Sequence, residues 1–478
     1  MNEERALRLG REKIGKLLRQ FAIPAIAAMI ASSLYNIVDG VFIGNLGPYA
    51  IAGVGLTSPF MNLAAAFGAL VGVGASVLCS IYLGEKNYDK ARQTLCNVII
   101  LNLIMGSLFS VAGLLFLEPI LLFFGASEQT LPFAKEYMTV ILLGNVFTHM
   151  YLGLNSIFRV SGYPNTAMYI TFVSVLINII LAPIFIFVFD MGVAGAGLAT
   201  VVAQVLCCLV QFYLFLRRDR TVYIERDKFK LDRTIIKRSF SIGSPNFSVN
   251  AAGCFVVVLQ NYNLLKYGGD LYVGAFSIIN RIAFLFFMIV LGFSQGMQPI
   301  VAYNYGAKNY KRMWDTFYLT VKCALTITLV GCLICELFPL QITRLFASGD
   351  SAMDAKLVQI TIDGFRKNMC FFWAVGIAVI GTNFFASMGK PKKALFLSLT
   401  RQIIFLIPLL LLLPNMWGAD GVWFATPMAD VLSVSCTIYL VWREREKRIA
   451  DGVRKCNAKG KDSRLVGKCT VKCVERRK

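Results

Sequence analysis

Asp39 is an acidic residue inside the first long apolar stretch of the sequence, with Asn36 three residues and Ser32 seven residues before it. This spacing places the three side chains on one face of a helix. A carboxylate is costly in apolar surroundings, so its presence there predicts a site that binds a proton or a cation. The alternative interpretation is a carboxylate near the end of its helix that is hydrated by water.

Two more polar residues lie in later apolar stretches at depths that allow them to join Asp39. Asn178 is midway along the fifth stretch, and Thr200 lies about two turns into the sixth. Counted at about 1.5 Å per residue from the nearer ends, Asp39 and Thr200 lie at similar depths and Asn178 lies deeper. We therefore expect these residues to converge on one site. The alternative for Asn178 is a hydrogen bond that holds two helices together.

The elements that position these residues follow from composition. The 478 residues are 57% hydrophobic and 16% charged, against about 45–50% apolar and about 25% charged in an ordinary globular domain. This excess excludes a soluble enzyme and predicts an all-α integral membrane protein. Twelve spans are predicted, with these bounds: 17–43, 49–80, 93–117, 133–159, 166–190, 193–216, 239–265, 272–302, 316–346, 358–387, 394–416 and 419–442.

Basic residues alternate between the predicted loops, and this fixes an expected orientation. The segments after spans two, four, six, eight and ten carry Lys or Arg, whereas loops such as 45–49 and 190–192 carry none. The positive-inside rule then places both termini in the cytoplasm. We expect the protein to lie in a plasma (inner) membrane. The net charge of +21 is not attributed to nucleic-acid binding, because the basic residues lie between apolar stretches and in the tail.

An internal duplication at a spacing of about 220 residues predicts the domain organisation. Residues 84–88 (GEKNY) match 306–310 (GAKNY), and residues 192–200 (GVAGAGLAT) match 418–426 (GADGVWFAT). Each half contains six spans, so the repeats run parallel and form two pseudo-symmetric six-helix bundles. The predicted divisions are a basic N-terminus (1–16), an N-lobe (17–216), a cytoplasmic linker (217–238), a C-lobe (239–442) and a basic cytoplasmic tail (443–478).

The second half lacks a titratable counterpart of Asp39. The corresponding place is Gln260 or Asn261, depending on where a gap is introduced. Any carboxylate-dependent ion site therefore belongs to the N-lobe. Arg281 and Arg401 also fall within predicted spans, so we consider them, with Gln260 and Asn261, as candidates for lining a substrate cavity.

Three other patterns do not indicate chemistry. Residues 10–16 match most of a phosphate-binding loop, but Leu17 stands where a Ser or Thr is needed and no strand precedes it. Cys332 and Cys335 have CxxC spacing inside an apolar stretch without a nearby histidine, so they predict neither zinc nor redox chemistry. The single histidine, His149, is interpreted as a buried hydrogen-bonding residue.

The motifs in 35–44 (YNIVDGVFIG), in 299–308 (PIVAYNYGAK) and at Arg401-Gln402 resemble those of the MATE (multidrug and toxic compound extrusion) transporters, in particular their MepA-like branch. The resemblance covers about 16–442. It implies twelve helices in two bundles and export of cationic, often aromatic, drugs in exchange for protons or sodium ions. It also implies a cation site at Asp39, Asn178 and Thr200.

One residue of that implied site departs from the family pattern. Where the pattern has an Asp four residues after the Asn, this sequence has Ala182. One carboxylate needs only one proton for neutralisation, whereas sodium would require additional oxygens from Asn178, Thr200 and the backbone. We therefore favour a proton over sodium.

The resulting hypothesis is a secondary antiporter that works by alternating access. We expect organic cations as substrates, membrane lipid as the surroundings, a monomeric state, no enzyme activity and no cofactor besides the transported ion. The alternatives are a lipid-linked oligosaccharide flippase of the same superfamily, a channel, or an integral-membrane enzyme.

Overall fold

The computed structural model describes residues 2–344 and 352–459 and the side chains of 7–344 and 355–447. In this part of the chain the regular elements are helical. Their bounds are α1 Asn2–Arg11, α2 Ile14–Gly44, α3 Pro48–Gly84, α4 Tyr88–Leu115, α5 Leu117–Phe123, α6 Leu131–Val160, α7 Pro164–Pro183, α8 Gly192–Leu216, α9 Arg233–Gly268, α10 Asp270–Gly306, α11 Tyr310–Leu337, α12 Pro339–Arg344, α13 Ala352–Met369, α14 Trp373–Ser387, α15 Pro391–Leu399, α16 Ile407–Trp417 and α17 Ala419–Lys459. A short 3₁₀ turn, Arg226–Lys228, lies between α8 and α9.

Eleven segments in the described ranges are long and apolar enough to cross a membrane, and a bent helix pair makes the twelfth. The pair, Ala355–Met369 and Trp373–Ser387, bends by 48° within the predicted span 358–387. The predicted architecture of two six-helix bundles is confirmed. We call the bundle of α2–α8 the N-lobe and that of α9–α17 the C-lobe.

Several boundaries differ from the sequence prediction. The ninth spanning helix, α11, ends at Leu337 rather than near 346, and a separate short helix follows it. Helix α9 begins at Arg233, inside the predicted linker, because the Asp232 side chain accepts hydrogen bonds from the first free backbone N–H groups. Residues 460–478 of the predicted basic tail lie outside the described residues.

The duplicated GEKNY and GAKNY motifs form the same turn in both lobes. Lys86 and Lys308 each adopt a φ of 59° directly after a long helix. The next residue, Asn87 or Asn309, caps the following helix by accepting a hydrogen bond from a backbone N–H. The sequence repeat is therefore a repeat of local chemistry, with a left-handed lysine followed by an asparagine cap.

The two lobes contact each other closely near these turns, at what we call the basic end. A Cβ atom on Gly84 would lie 2.0 Å from the carbonyl oxygen of Tyr303, and one on Gly306 would lie 2.2 Å from that of Ile81. Glycine is required here because the backbones of α3 and α10 touch. The same relationship joins α3 to α9, at Gly74 with Ser239 and at Gly243 with Leu70.

Helix α1 precedes the N-lobe but docks on the C-lobe. The Leu9 side chain is 1% exposed. Its carbonyl oxygen accepts hydrogen bonds of 3.0 Å from Asn304 Nδ2 and 3.1 Å from Arg312 Nε. Arg312 also donates to the carbonyl oxygen of Glu12. The N-terminal segment thus bridges the lobes at the basic end.

Candidate functional site

Thr200 is the centre of a hydrogen-bond cluster that joins three helices of the N-lobe. Its hydroxyl accepts a 3.0 Å bond from Asn178 Nδ2 on α7 and lies 2.9 Å from the Tyr35 hydroxyl on α2. It also donates to the carbonyl oxygen of Ala196, 3.2 Å away on its own helix. Because a threonine hydroxyl has a single proton, Tyr35 is the donor in its contact with Thr200.

Asp39 lies one helical turn beyond Tyr35 and is 7% exposed. Its Oδ1 is buried and has no hydrogen-bond partner in the described part of the chain. Tyr35 and Tyr137 lie within electrostatic range of the carboxyl group. A buried carboxylate oxygen without a partner is costly, and a bound proton or cation would relieve that cost.

A cavity of about 180 Å³ lies beside this cluster, between α2, α6, α7 and α8. Its polar lining residues are uncharged side chains. They include Ser32, Asn36, Tyr151, Thr171, Ser174 and Gln204, together with Tyr35, Asn178 and Thr200. The volume is small compared with the roughly 300–1,000 Å³ of typical sites for drug-sized ligands. It is therefore suited to water or a small ion.

Asn36, which the sequence predicts as part of the coupling site, has a different position from the others. Its Nδ2 donates a 2.8 Å bond to the carbonyl oxygen of Ser32 on the same helix. Asn36 lines the cavity, but no hydrogen bond in the described chain connects it to Asp39, Asn178 or Thr200. Its contribution is to the polarity of the cavity wall.

Ala182 occupies the place where the family pattern has a second carboxylate, and it is fully buried. Its surroundings are apolar and include Ile186, Ala196 and Ala199. A π-helical turn, Ile184–Val188, follows directly after Pro183. The N-lobe site therefore has one carboxylate and a hydrophobic contact at the position of the second.

The C-lobe has an uncharged pair at the equivalent place. Gln260 Nε2 on α9 donates a 3.0 Å hydrogen bond to Thr426 Oγ1 on α17, and Thr426 is the repeat partner of Thr200. Gln260 is 5% exposed, whereas Asn261 is only partly buried. Gln260 is thus the more buried of the two C-lobe candidates, and it contacts Thr426 as Tyr35 contacts Thr200 in the N-lobe.

Arg401 is held within the C-lobe by a residue that the sequence analysis missed. Its Nε lies 2.5 Å from Asp430 Oδ1, and the Asp430 side chain is 4% exposed. Arg401 belongs to a π-helical segment, Thr400–Leu406, between α15 and α16. The sequence did contain a signal for this pair. Asp430 is an acidic residue within the twelfth predicted span, so the argument used for Asp39 applies equally to it.

Arg281 differs from the sequence expectation of burial, since its side chain is exposed. No carboxylate lies within 4 Å of it among the residues whose side chains are described. It shares an exposed face of α10 with Ser277, Asn280 and Phe284. This face carries an arginine and two polar side chains within a membrane-spanning helix, so contact with water or protein is more favourable for it than contact with lipid.

The structure also places the other residues considered in the sequence analysis, which are His149, Cys332 and Cys335. His149 is fully buried, and its Nε2 lies 3.0 Å from the carbonyl oxygen of Ala64. Cys332 and Cys335 are free thiols. Within the described residues, no cluster of three or more metal-ligating side chains is found.

Comparisons with known proteins agree with this architecture. A family model described as MatE matches residues 24–184 and 253–412, one segment in each lobe. Multidrug export protein MepA of Staphylococcus haemolyticus (strain JCSC1435) is 26% identical over 452 residues, which cover 94% of this chain and 98% of that protein. MepA of Staphylococcus aureus (strain MRSA252) is 26% identical over 454 residues, again 94% and 98%.

Solved structures of similar proteins share the fold. A MOP superfamily transporter from Pyrococcus furiosus superposes with a TM-score of 0.86 at 25% identity, covering 92% of this chain and 97% of that one. A multidrug resistance MATE family transporter in an outward-facing conformation gives 0.86 at 26% identity, with the same coverage. With both lobes matched by the family model, the chain belongs to the MatE family of multidrug efflux transporters, which are membrane transporters.

Proposed function

We propose that this multidrug efflux transporter is an antiporter that exchanges drug for a proton at Asp39. The observation that carries the proposal is the buried, unpartnered Oδ1 of Asp39, one helical turn from Tyr35, which lines a small cavity. Uptake of one proton neutralises the group without any further ligand. Sodium is the alternative ion, and it would need oxygen atoms from Asn178, Thr200 and the backbone.

The proposed transport cycle is alternating access of the two lobes. The contacts at Gly84 and Gly306 close the basic end, and a similar transporter is known in an outward-facing conformation. We propose that the basic end is cytoplasmic, so that both termini are inside, and that protonation at Asp39 lowers drug affinity in the state open to the outside. Coupling then results from different drug affinities in the two protonation states.

The available driving force is sufficient for such a cycle. Moving one charge through 100 mV supplies about 2.3 kcal/mol, and a tenfold ion gradient adds about 1.4 kcal/mol. We further propose that the transporter acts as a monomer in lipid and takes aromatic organic cations among its substrates.

The test is dye efflux from proteoliposomes in which sodium and pH gradients are imposed separately. We expect efflux to follow the proton gradient at constant sodium. Efflux that follows the sodium gradient and does not respond to pH would contradict proton coupling and favour sodium as the coupling ion. Equilibration without uphill transport under either gradient would contradict coupled antiport altogether.

A further inference from the structure

The helices that form the boundary between the lobes carry an unbalanced set of charges. Helices α2, α3, α9 and α10 make the main contacts between the lobes. Over their full lengths, they contain two acidic residues, Asp39 and Asp270. Asp39 is buried inside the N-lobe and Asp270 is the first residue of α10. About a third of the way along α10, in contrast, Arg281 is exposed and has no carboxylate within 4 Å among the described side chains.

Helical geometry shows which way Arg281 faces. Gly292 lies eleven residues further along α10, and a Cβ atom there would be 2.3 Å from Ile26 Cγ1 on α2. Eleven residues are slightly more than three full turns, so Arg281 and Gly292 point in directions that differ by only about 20°. Gln295 also lies near this face, and its Nε2 is 3.8 Å from Met29 Sδ on α2. Arg281 therefore faces the N-lobe.

The residue on the opposite side of the boundary is apolar. Helix α2 runs antiparallel to α10, and Ile37 lies eleven residues beyond Ile26 towards the other end of the molecule. Ile37 is 64% exposed and Ile30, on the same side of α2, is 44% exposed. Arg281 and Ile37 thus lie at similar levels of α10 and α2, each about 16 Å along its helix from the point where the two helices touch.

The deep end of this boundary carries a second arginine without an acidic partner. Arg159 on α6 donates hydrogen bonds to Gln295 of the C-lobe and to Ser156, and no carboxylate lies within 4 Å of it among the described side chains. Two guanidinium groups without a carboxylate partner among the described side chains therefore lie on the boundary between the lobes. Such surroundings repel a simple organic cation and attract an oxyanion, which a guanidinium binds through paired N–H donors.

We infer that Arg281 binds an anionic group of the transported molecule, so that the preferred substrates are aromatic amphiphiles carrying a carboxylate or a similar oxyanion. This inference rests on the proposed drug-export function and narrows the expected organic cations to those that also carry an anionic group. The aromatic portion of such a molecule packs on the aliphatic α2 wall around Ile37, while its oxyanion contacts Arg281.

A matched pair of dyes tests this inference: rhodamine B, with a free carboxylate, and its ethyl ester, with the same fluorophore but no negative charge. Binding is measured by fluorescence polarisation on the purified full-length protein in detergent, without an ion gradient. We expect the wild type to bind rhodamine B about tenfold more tightly than the ester. Arg281→Gln should remove this preference, Arg281→Glu should reverse it and Arg281→Lys should retain most of it.

Lys266→Gln is the matched control, because it removes a positive charge from an exposed position at the far end of α9. The control should keep the wild-type preference. Equal binding of both dyes by the wild type, no binding of either dye, or an unchanged preference in Arg281→Gln would overturn the inference. In Asp39→Asn the preference should persist although export is lost, so failure of ion coupling is distinguishable from failure of anion recognition.

Discussion

Gln260 donates a 3.0 Å hydrogen bond to the hydroxyl group of Thr426, which is the repeat partner of Thr200 in the N-lobe. The Thr426 hydroxyl group thus has a direct hydrogen-bond partner in the Gln260 amide. In the N-lobe, Thr200 is satisfied by Asn178 and Tyr35, while an oxygen of Asp39 is left without a partner. Between these two equivalent places, only the one in the N-lobe can change its charge.

Asp39→Asn should abolish uphill drug transport while preserving drug binding, because the substitution is nearly isosteric and removes the titratable group. Efflux under an imposed pH gradient is compared with equilibrium dye binding in the same preparation. Wild-type efflux by this variant would exclude Asp39 as the coupling residue. A parallel loss of thermal stability and binding would assign it a structural role instead.

Thr200→Val should lower thermal stability, because the Asn178 amide and the Tyr35 hydroxyl would both lose their acceptor. Buried polar groups left unsatisfied cost about 1–3 kcal/mol. Thr200→Ser is the control, since it keeps the hydroxyl group. Thermal unfolding in detergent measures the effect, and equal melting temperatures for the Val and Ser variants would contradict the hydrogen-bond cluster.

Ala182→Asp should change the ion dependence of transport, because it adds a carboxylate to a buried position in the N-lobe. Two nearby carboxylates either share a proton or bind a cation. We expect sodium at constant pH to stimulate efflux by this variant but not by the wild type. Ala182→Asn has a similar volume without the charge, and a sodium response in that control would show that charge is not the cause.

Gly84→Ala should weaken closure of the basic end, because the new Cβ atom would lie 2.0 Å from the Tyr303 carbonyl oxygen. Overpacking of this kind costs about 1–3 kcal/mol in the closed state. The labelling rate of a cysteine introduced at Ser80, which contacts α10, reports on opening and should rise. Gly253→Ala is the control, since no atom lies within 4 Å of a Cβ there. Equal labelling rates in both variants would show that the contact does not limit closure.

Asp430→Asn should destabilise the protein by about 3–5 kcal/mol, because it leaves the Arg401 guanidinium without its buried partner. The double variant Arg401→Met with Asp430→Leu should recover most of that stability, since it removes both charges. Chemical unfolding in mixed micelles provides the comparison. If the double variant is as unstable as the single one, the pair has a role that hydrophobic packing cannot replace.

The duplication was predictable from sequence because it acts through local chemistry. The left-handed Lys86 and Lys308 and the capping Asn87 and Asn309 depend on residues within one turn. The span count was also accessible, since it depends on the length of apolar stretches. The 48° bend before Trp373 was not, because no proline or glycine marks the break between Met369 and Trp373.

The partner of a side chain on a neighbouring helix was harder to predict than the depth of that side chain in the membrane. Counting residues predicts the level of Asp39 and Thr200 in the membrane, but it does not give the rotation of each helix about its axis. That rotation brings Tyr35 to Thr200 and leaves Asn36 bonded to its own helix. The Arg401–Asp430 pair depends in addition on a π-helical segment, which shifts the direction of every side chain after it.

The docking of α1 on the C-lobe constrains the order in which the chain is assembled. Leu9 and Asn304, which are joined by a hydrogen bond, are 295 residues apart. During synthesis, α1 is made well before its binding surface, which exists only after α10 and the start of α11 have been made. A segment made before both lobes is thus among the last to reach its final position, and a chain truncated before α10 would leave the Leu9 carbonyl oxygen without its hydrogen bonds.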